Sequence, residues 1–177
     1  MPQNWLADQT IARRRAARAE LERGPLDPPS LRAQRPRRAV AEPDSAFGPP
    51  GSSGEENVSV IVQDANAYGV LFQLASMGTP QDVAQRLLDN VVARPGSGKT
   101  AVLLGATEEV REAGGLPFYA LEFIVRSETP AWERHNLSVL YGDAKGRLFT
   151  LTAQVPERDW AQTGPLLRQC AASFRVW

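Results

Sequence analysis

The sequence predicts an α/β protein of the α+β kind, in which helices pack on an antiparallel β-sheet. Two observations support this fold class. Apolar, β-branched segments follow one another through short glycine-containing turns, which is typical of antiparallel strands. Two other segments repeat apolar residues at helical spacing, and such helices bury one face against a sheet. With 177 residues the chain is long enough for one such domain and not comfortably for two.

The N-terminal part differs in composition from the rest, because the first 56 residues hold 8 of the 14 prolines and 9 of the 20 basic residues. Ile11–Arg23 consists mostly of good helix formers and predicts a short, solvated helix that ends at Gly24. Pro25–Gly54 has too few apolar residues to order itself, so we expect irregular or disordered structure there. We therefore predict a largely irregular Arg/Pro-rich segment over 6–56 and a folded domain over 57–177.

The predicted domain begins with a strand and a helix. Val58–Val62 (VSVIV) is apolar and β-branched, which indicates a buried strand. Thr79 is a favourable N-cap and Pro80 a favourable first helical residue, so a helix is predicted over Gln81–Ala93. One face of that helix is apolar and is expected to pack on the sheet; it carries Val83, Leu87, Leu88 and Val91.

Four strands and a helix follow in the second half of the chain. The loop 142–146 contains two glycines and predicts a hairpin between the third and fourth of these strands. The last helix is predicted over Asp159–Ser173, and a short final strand over Phe174–Trp177. The four strands are predicted over Ala101–Arg111, Pro117–Ser127, Arg134–Tyr141 and Arg147–Val155.

The overall composition excludes several classes of protein. Twenty basic and twenty acidic residues give a formal net charge of zero, so no global field favours nucleic acid or an acidic partner. No apolar run approaches the length of a membrane helix. The single cysteine, Cys170, permits no intrachain disulfide, and it is expected to be a small buried residue of the last helix.

A glycine-rich segment raises the question of nucleotide binding. Ala93–Thr100 (ARPGSGKT) fits a loose Walker A pattern. A P-loop needs a strand before it and a helix after it, because that order aims a helix N-terminus and backbone amides at the phosphates. Here a predicted helix precedes and a predicted strand follows. We therefore interpret the segment as a plain connection, and a P-loop-like nucleotide-binding enzyme is the less favoured alternative.

A basic stretch lies in the N-terminal segment. Residues 13–38 carry 9 positive and 3 negative charges, a local excess of 6. Such a stretch could bind nucleic acid or an anionic surface. No aromatic residue lies in this window to stack on a base, so we favour a solvated segment and predict no nucleic-acid partner.

One pair of residues is a candidate metal site. His135 is the only histidine, and pairing across the 142–146 hairpin places it near Gln154–Glu157. His135 and Glu157 could then hold calcium or another divalent cation weakly, since two ligands are too few for a tight site. A structural or exposed histidine is the alternative that we favour. We predict no catalytic residue and no tightly bound cofactor, because nothing like a nucleophile elbow is present.

Trp132, Trp160 and Trp177 could anchor a partner. Tryptophans near the ends of strands and helices more often close a core.

A series of short motifs runs in a fixed order through the predicted domain. None is specific by itself, but the order from Asn57 to Val176 is. The series resembles the PsbP domain, with its N-V-S-V strand, G-x-P helix start, Y-x-L-E strand, A-Q strand end and terminal S-F-x-V. The residues that carry the resemblance are Asn57-Val58-Ser59-Val60, Gly78-Thr79-Pro80, Phe118–Phe123, Arg134-His135, Gly146–Gln154, Trp160 and Ala172–Val176.

The resemblance implies a fold and a function. The fold is an α-β-α sandwich around a central antiparallel sheet, Mog1/PsbP-like. The function is that of a non-catalytic extrinsic protein in the thylakoid lumen of chloroplasts or cyanobacteria, peripheral to the membrane. Founding members bind the lumenal face of photosystem II and help to retain calcium and chloride at the oxygen-evolving complex. Other relatives serve assembly of further thylakoid complexes, and a factor for photosystem I or the NDH complex is the alternative function.

The chain departs from the family pattern at its N-terminus. Met1–Trp5 resembles the tail of the family's first strand, so we expect that strand to begin upstream of this sequence. Leu6–Glu56 is longer and richer in arginine than the usual stretch before N-V-S-V. The short basic extension that docks the founding members is absent, which favours a divergent relative.

Overall fold

The computed structural model describes residues 4–9, 11, 13, 43–50, 54–64, 74–111, 115–143 and 145–176. The strands are β1 (Leu6–Ala7), β2 (Ser45–Gly48), β3 (Asn57–Asp64), β4 (Lys99–Glu109), β5 (Phe118–Glu128), β6 (Ala131–Gly142) and β7 (Arg147–Pro156). Seven strands form one antiparallel sheet in the order β1-β2-β3-β7-β6-β5-β4. The longest strands, β4 to β7, are therefore neighbours, and they carry the centre of the domain.

Among the described ranges, two α-helices over residues 80–87 and 160–173 pack on this sheet. The first, α1 (Pro80–Leu87), continues as a π-helical turn over Leu88–Val92. The second, α2 (Trp160–Ser173), follows β7 through the 3₁₀ turn Glu157–Asp159. No helix in the described ranges is long and apolar enough to cross a membrane.

The core consists of two layers, because successive side chains of a strand point to opposite faces of the sheet. On β6, Leu137 and Val139 belong to the layer under α2, whereas Leu140 belongs to the layer under α1. Leu167 of α2 is fully buried in the first layer. Tyr119 lies in the second, and its hydroxyl donates to the carbonyl oxygen of Gly78 at 2.9 Å. The predicted α-β-α sandwich around an antiparallel sheet is confirmed.

The predicted start of the first helix is also confirmed. Thr79 and Asp82 form a capping box, in which the Thr79 hydroxyl accepts from the Asp82 N–H and the Asp82 carboxylate accepts from the Thr79 N–H. Strand ends differ from the prediction by a few residues. The largest difference is at β6, which begins at Ala131 because it pairs with β5 up to Glu128.

The predicted strand over Phe174–Trp177 is wrong for the described residues 174–176, which have no regular structure. Phe174 packs into the layer under α2, in edge-to-face contact with Phe118. Its carbonyl oxygen accepts a hydrogen bond from the guanidinium of Arg111 at 2.9 Å. The Arg111 side chain, which is 6% exposed, thus supplies the hydrogen bond that the backbone of a neighbouring strand would otherwise supply.

The expectation of irregular structure over Pro25–Gly54 is wrong for Ser45–Gly48, which form β2. This strand pairs with β3. Asp44 directly precedes β2, and its carboxylate accepts a hydrogen bond from the backbone N–H of Val62 on β3. The edge of β3 supplies hydrogen-bond partners for the backbone of Ser45–Gly48, and the composition of Pro25–Gly54 does not predict this pairing. The rest of Pro25–Gly54 lies mostly outside the described residues, as does nearly all of Ile11–Arg23.

The N-terminal strand begins at Leu6 and pairs with β2. Asn4 and Trp5 precede it without strand structure, and Trp5 packs against the core under α2. The other residues of the predicted strand tail, 1–3, lie outside the described part. The division into 1–5, 6–56 and 57–177 stays a prediction.

The turn between β6 and β7 is organised by Asp143. Its carboxylate accepts hydrogen bonds from the backbone N–H groups of Lys145 and Arg147 and from the Arg147 side chain. Burial alone would raise the pKa of Asp143. The hydrogen bonds and the charge of Arg147 outweigh burial, so the pKa of this carboxyl lies below its ordinary value.

We expect an Asp143→Asn variant to be less stable than the parent at neutral pH and equally stable in strong acid. Because the folded-state pKa is lowered, the carboxylate stabilises the fold above the ordinary aspartate pKa. That contribution is lost as the pH falls through the folded-state value. The unfolding free energies of the two proteins should therefore converge between about pH 5 and pH 2, as measured by urea denaturation. A gap that stays constant over this range would contradict the prediction.

Candidate functional site

The buried polar centre of the domain is His135 on β6, whose side chain is 3% exposed. The sheet register places it between Ile124 on β5 and Val155 on β7. Alternation along β6 puts it on the same face as Leu137 and therefore under α2. A polar ring at this depth has to find hydrogen-bond partners inside the protein.

Both ring nitrogens of His135 contact carboxylates. Nδ1 lies 2.7 Å from Oε2 of Glu157, and Nε2 lies 2.8 Å from Oε1 of Glu122. Glu157 lies near the His135 ring because it directly follows the end of β7. Glu122 lies near the ring because it is two positions from Ile124, on the same face of β5. Two such contacts need two protons, whereas a neutral imidazole supplies only one, so the second proton lies on the ring or on a carboxyl group.

Helix α2 completes this arrangement. Arg168 donates two hydrogen bonds to the Glu122 carboxylate, at 2.7 and 2.8 Å. Trp160 stacks on the His135 ring with a centroid distance of 3.5 Å and an interplanar angle of 7°. Arg168 also lies 5.0 Å from the centre of the Trp160 ring. We name the side chains of His135, Glu122, Glu157, Trp160 and Arg168 the histidine cluster.

The flat packing of Trp160 depends on Gly164, one helical turn further along α2. A Cβ atom at Gly164 would lie 2.9 Å from two atoms of the indole ring, closer than real contacts allow. The indole is already packed against His135 and has little room to move. Glycine is thus required here although it is a poor helix former.

We expect Gly164→Ala to lower the unfolding free energy by about 1–2 kcal/mol, because overpacking outweighs the gain in helix propensity. The matched control is Gly105→Ala on β4, where a Cβ meets nothing within 4 Å. That variant should change stability by no more than about 0.5 kcal/mol. Denaturant unfolding of both variants measures the difference. Equal effects would show that Trp160 does not need this space.

A cleft of about 460 Å³ opens next to the histidine cluster, at the end of the sheet where β5 turns into β6. The Trp132 ring contributes an aromatic wall, with the Arg134 guanidinium 4.5 Å and Lys99 Nζ 5.6 Å from its centre. Because Glu157 lines this cleft and also contacts His135, it connects the surface with the buried cluster. The lining residues are Glu55, Ala131, Trp132, Glu133, Arg134, Pro156, Glu157 and Arg158.

The structure brings the predicted metal pair, His135 and Glu157, into direct contact. Their 2.7 Å separation is that of a hydrogen bond, and a cation would have to replace the shared proton. In the described ranges no group of three or more His, Cys, Asp and Glu side chains could hold a metal ion. The residues therefore do not fit a tight site, and weak binding stays a prediction.

The glycine-rich segment does not have the geometry of a P-loop. The π-helical turn ends at Val92, and β4 begins at Lys99, so a helix precedes the loop and a strand follows it. Gly96 and Gly98 have φ angles of 77° and 67°, which glycine adopts without strain and which allow the tight connection. The order of elements predicted from the sequence is thus observed.

Other residues singled out in the sequence have ordinary places. Cys170 is buried in the layer under α2, and burial raises the pKa of its thiol. Trp132 and Trp160 each pack against one of the two core layers, as expected for tryptophans that close a core. Arg13 is described, but the remainder of the basic stretch and Trp177 lie outside the described residues.

Sequence reasoning missed Glu122 and Arg168. A signal for Glu122 was present, because a charged residue at the centre of the apolar segment Phe118–Val125 (FYALEFIV) needs a partner on the buried face. No comparable signal exists for Arg168. Its position beside Glu122 follows only from the way in which α2 lies across β6 and β7.

Comparison with known proteins agrees with this fold. The family model described as PsbP matches residues 36–176. PsbP domain-containing protein 7, chloroplastic, of Arabidopsis thaliana is 40% identical over 179 residues, covering 99% of this chain and 60% of that protein. CyanoP of Thermosynechococcus vestitus is 33% identical over 125 residues, covering 69% of this chain and 65% of that protein. The chain thus spans less than two thirds of the length of these relatives.

The solution structure of cyanobacterial PsbP (CyanoP) from Synechocystis aligns with 100% of this chain and 84% of its own, with a TM-score of 0.66 and 22% identity. At this identity the likeness concerns the fold. The residues matched by the family model include β2 to β7, both helices and the whole histidine cluster. The chain belongs to the PsbP family, as the order of its motifs predicted.

Proposed function

We propose that this protein is a non-catalytic extrinsic protein of the thylakoid lumen that associates with photosystem II and supports its assembly or its retention of calcium and chloride. Membership of the PsbP family supports the class of function. A relative named as chloroplastic and a cyanobacterial relative support the compartment. The association is peripheral, through surface residues of the domain.

The observation that carries the proposal is that the polar groups of the histidine cluster bind one another inside the domain. A general base or nucleophile has to reach a substrate, and His135 has both nitrogens engaged and is 3% exposed. Its contacts join β5, β6, the turn after β7 and α2. These groups thus stabilise a rigid domain, which suits a protein that binds and positions others.

We place the docking surface at the cleft beside Trp132. Its rim combines this aromatic side chain with Arg134 and with Arg158, whose side chain is 78% exposed. Arginine and tryptophan are enriched among the residues that dominate protein interfaces. The cleft also carries Glu55, Glu133 and Glu157, so the partner surface is expected to present charges of both signs, and binding should weaken with salt.

Rebinding to washed thylakoid membranes tests the proposal. Purified protein is added to membranes stripped of extrinsic proteins, and binding and oxygen evolution are measured at low calcium and chloride. We expect saturable binding that restores oxygen evolution, reduced by Arg158→Glu. The matched control is Arg175→Glu, which reverses the charge of an arginine after the end of α2. Equal binding to membranes that lack photosystem II would contradict the proposal.

A second candidate is an assembly factor for photosystem I or the NDH complex. The favouring observation is the arginine-rich stretch, because most of it precedes residue 36, where the match to the family begins. A segment outside the domain common to the family can bind a different thylakoid complex. Native electrophoresis of solubilised thylakoids distinguishes the candidates, since the protein should migrate with the complex that it serves.

We also propose that any divalent cation binds weakly, between His135 and Glu157. Because the ion would have to displace a hydrogen bond, we expect an affinity no tighter than about 0.1–1 mM. Calorimetric titration with calcium and with zinc measures it, and Glu157→Gln should abolish it. Submicromolar binding that survives this substitution would place the metal elsewhere.

A further inference from the structure

The strand β4 lies at the edge of the sheet and carries an unusual amount of exposed apolar surface. In the described part of the chain it pairs with β5 alone, through ten of its eleven residues. Five of the seven exposed large hydrophobic side chains in the described ranges lie on β4 or in the segments that flank it. They are Val91, Val102, Leu104, Val110 and Leu116. An edge of this kind favours pairing with another chain.

The two faces of β4 differ. Ala101, Leu103 and Ala106 pack into the layer under α1. Val102 and Leu104 are not part of that layer and are 45% and 50% exposed. Helix α2 packs mainly on β6 and β7, so it does not extend over this part of the sheet.

The sequence of β4 is self-complementary when it is read against itself in the antiparallel direction. Lys99–Glu108 reads KTAVLLGATE, with a basic residue at one end and an acidic residue at the other. A two-fold axis between Leu103 and Leu104 places residues of matching or opposite character across from each other, except that Val102 faces a glycine. The pairs are Lys99 with Glu108, Thr100 with Thr107, Ala101 with Ala106, Val102 with Gly105, and Leu103 with Leu104.

The charges at the two ends of this segment are available for such pairing. Neither Lys99 nor Glu108 is in an ion pair with another described residue, whereas the neighbouring Glu109 is bound by Arg111 at 2.9 Å. In a two-fold arrangement each Lys99 would face the Glu108 of the other copy. Opposite charges directly across two strands stabilise pairing, and like charges oppose it.

We propose that the protein forms a two-fold symmetric dimer in which β4 of one copy pairs antiparallel with β4 of a second copy. The interface is isologous, so every contact occurs twice. The bulge at Leu104, which has no partner on β5, lies next to the axis. Gln81 Nε2 donates to the carbonyl oxygen of Ala106 at 2.9 Å. That oxygen can accept a second hydrogen bond in the dimer, since a carbonyl has two lone pairs.

Sedimentation velocity over a series of protein concentrations tests the proposal. The parent protein is expected to show a reversible monomer–dimer equilibrium. Glu108→Lys and Lys99→Glu each place like charges at both ends of the ladder, so each should raise the dimer dissociation constant about tenfold or more. An equimolar mixture of the two variants should recover the parent affinity, because each Lys then faces a Glu. The double variant should recover it as well.

Two further variants show whether β4 is the interface. Leu104→Lys should also weaken the dimer, while Leu166→Lys, at a 40% exposed position on α2, should leave it unchanged. Circular dichroism confirms that every variant is folded. A parent protein that stays monomeric at all concentrations would overturn the proposal. Failure of the charge-swapped mixture to recover dimerisation would also overturn it.

Discussion

Replacing His135 with alanine is expected to lower the unfolding free energy by about 3–5 kcal/mol. The substitution removes hydrogen bonds to Glu122 and Glu157 and the ring on which Trp160 stacks. It also leaves both carboxylates facing a cavity, and Glu122 keeps only its hydrogen bonds from Arg168. Urea denaturation followed by tryptophan fluorescence at neutral pH measures the loss.

The matched control for this variant is Glu133→Ala on the same strand. Glu133 forms an ion pair with Arg126, but both side chains are more than one third exposed. Such surface pairs contribute no more than about 1 kcal/mol, so the control should remain close to the parent. If the two variants lost equal stability, burial of the histidine cluster would have no special energetic role.

The parts of the site that could be predicted from sequence are those set by local pairing. Glu157 was placed near His135 because a hairpin fixes which residues of its two strands are neighbours. The observed register, in which His135 pairs with Val155, follows directly from the turn at 142–146. Glu122 and Arg168 required the register of β5 and the position of α2, which depend on tertiary packing.

The same distinction explains the fold. Strands β3 to β7 could be predicted because their apolar residues and turns lie within the segment itself. Ser45–Gly48 has little strand character of its own, and β3 supplies both its backbone partners and its register. The apolar residues after Ser173 suggested a strand, but Arg111 binds the carbonyl group that a strand would need. In both cases a distant segment decides the structure.

Replacing Arg111 with alanine is expected to destabilise the protein by about 2–4 kcal/mol. Its side chain is only 6% exposed, and Nη1 donates to the carbonyl oxygens of Ala171 and Phe174, each at 2.9 Å. These carbonyl groups lie at the C-terminal end of α2, where no further turn of helix can bind them. The guanidinium also lies 4.5 Å from the centre of the Phe118 ring. Its removal takes one hydrogen-bond donor from each of these two carbonyl oxygens and leaves a cavity above the core.

A lysine at position 111 should recover less than half of this loss, because one ammonium group cannot bind Glu109 and both carbonyl oxygens in the guanidinium geometry. The matched control is Arg175→Ala, since Arg175 also donates to carbonyl oxygens at this helix end but lies nearer the surface. We expect it to cost less than about 1 kcal/mol in denaturant unfolding. Hydrogen exchange should show faster opening of α2 in Arg111→Ala alone, because the arginine holds the end of this helix on the sheet. Unchanged exchange in α2 would mean that packing of Leu167 and Trp160 suffices to hold the helix.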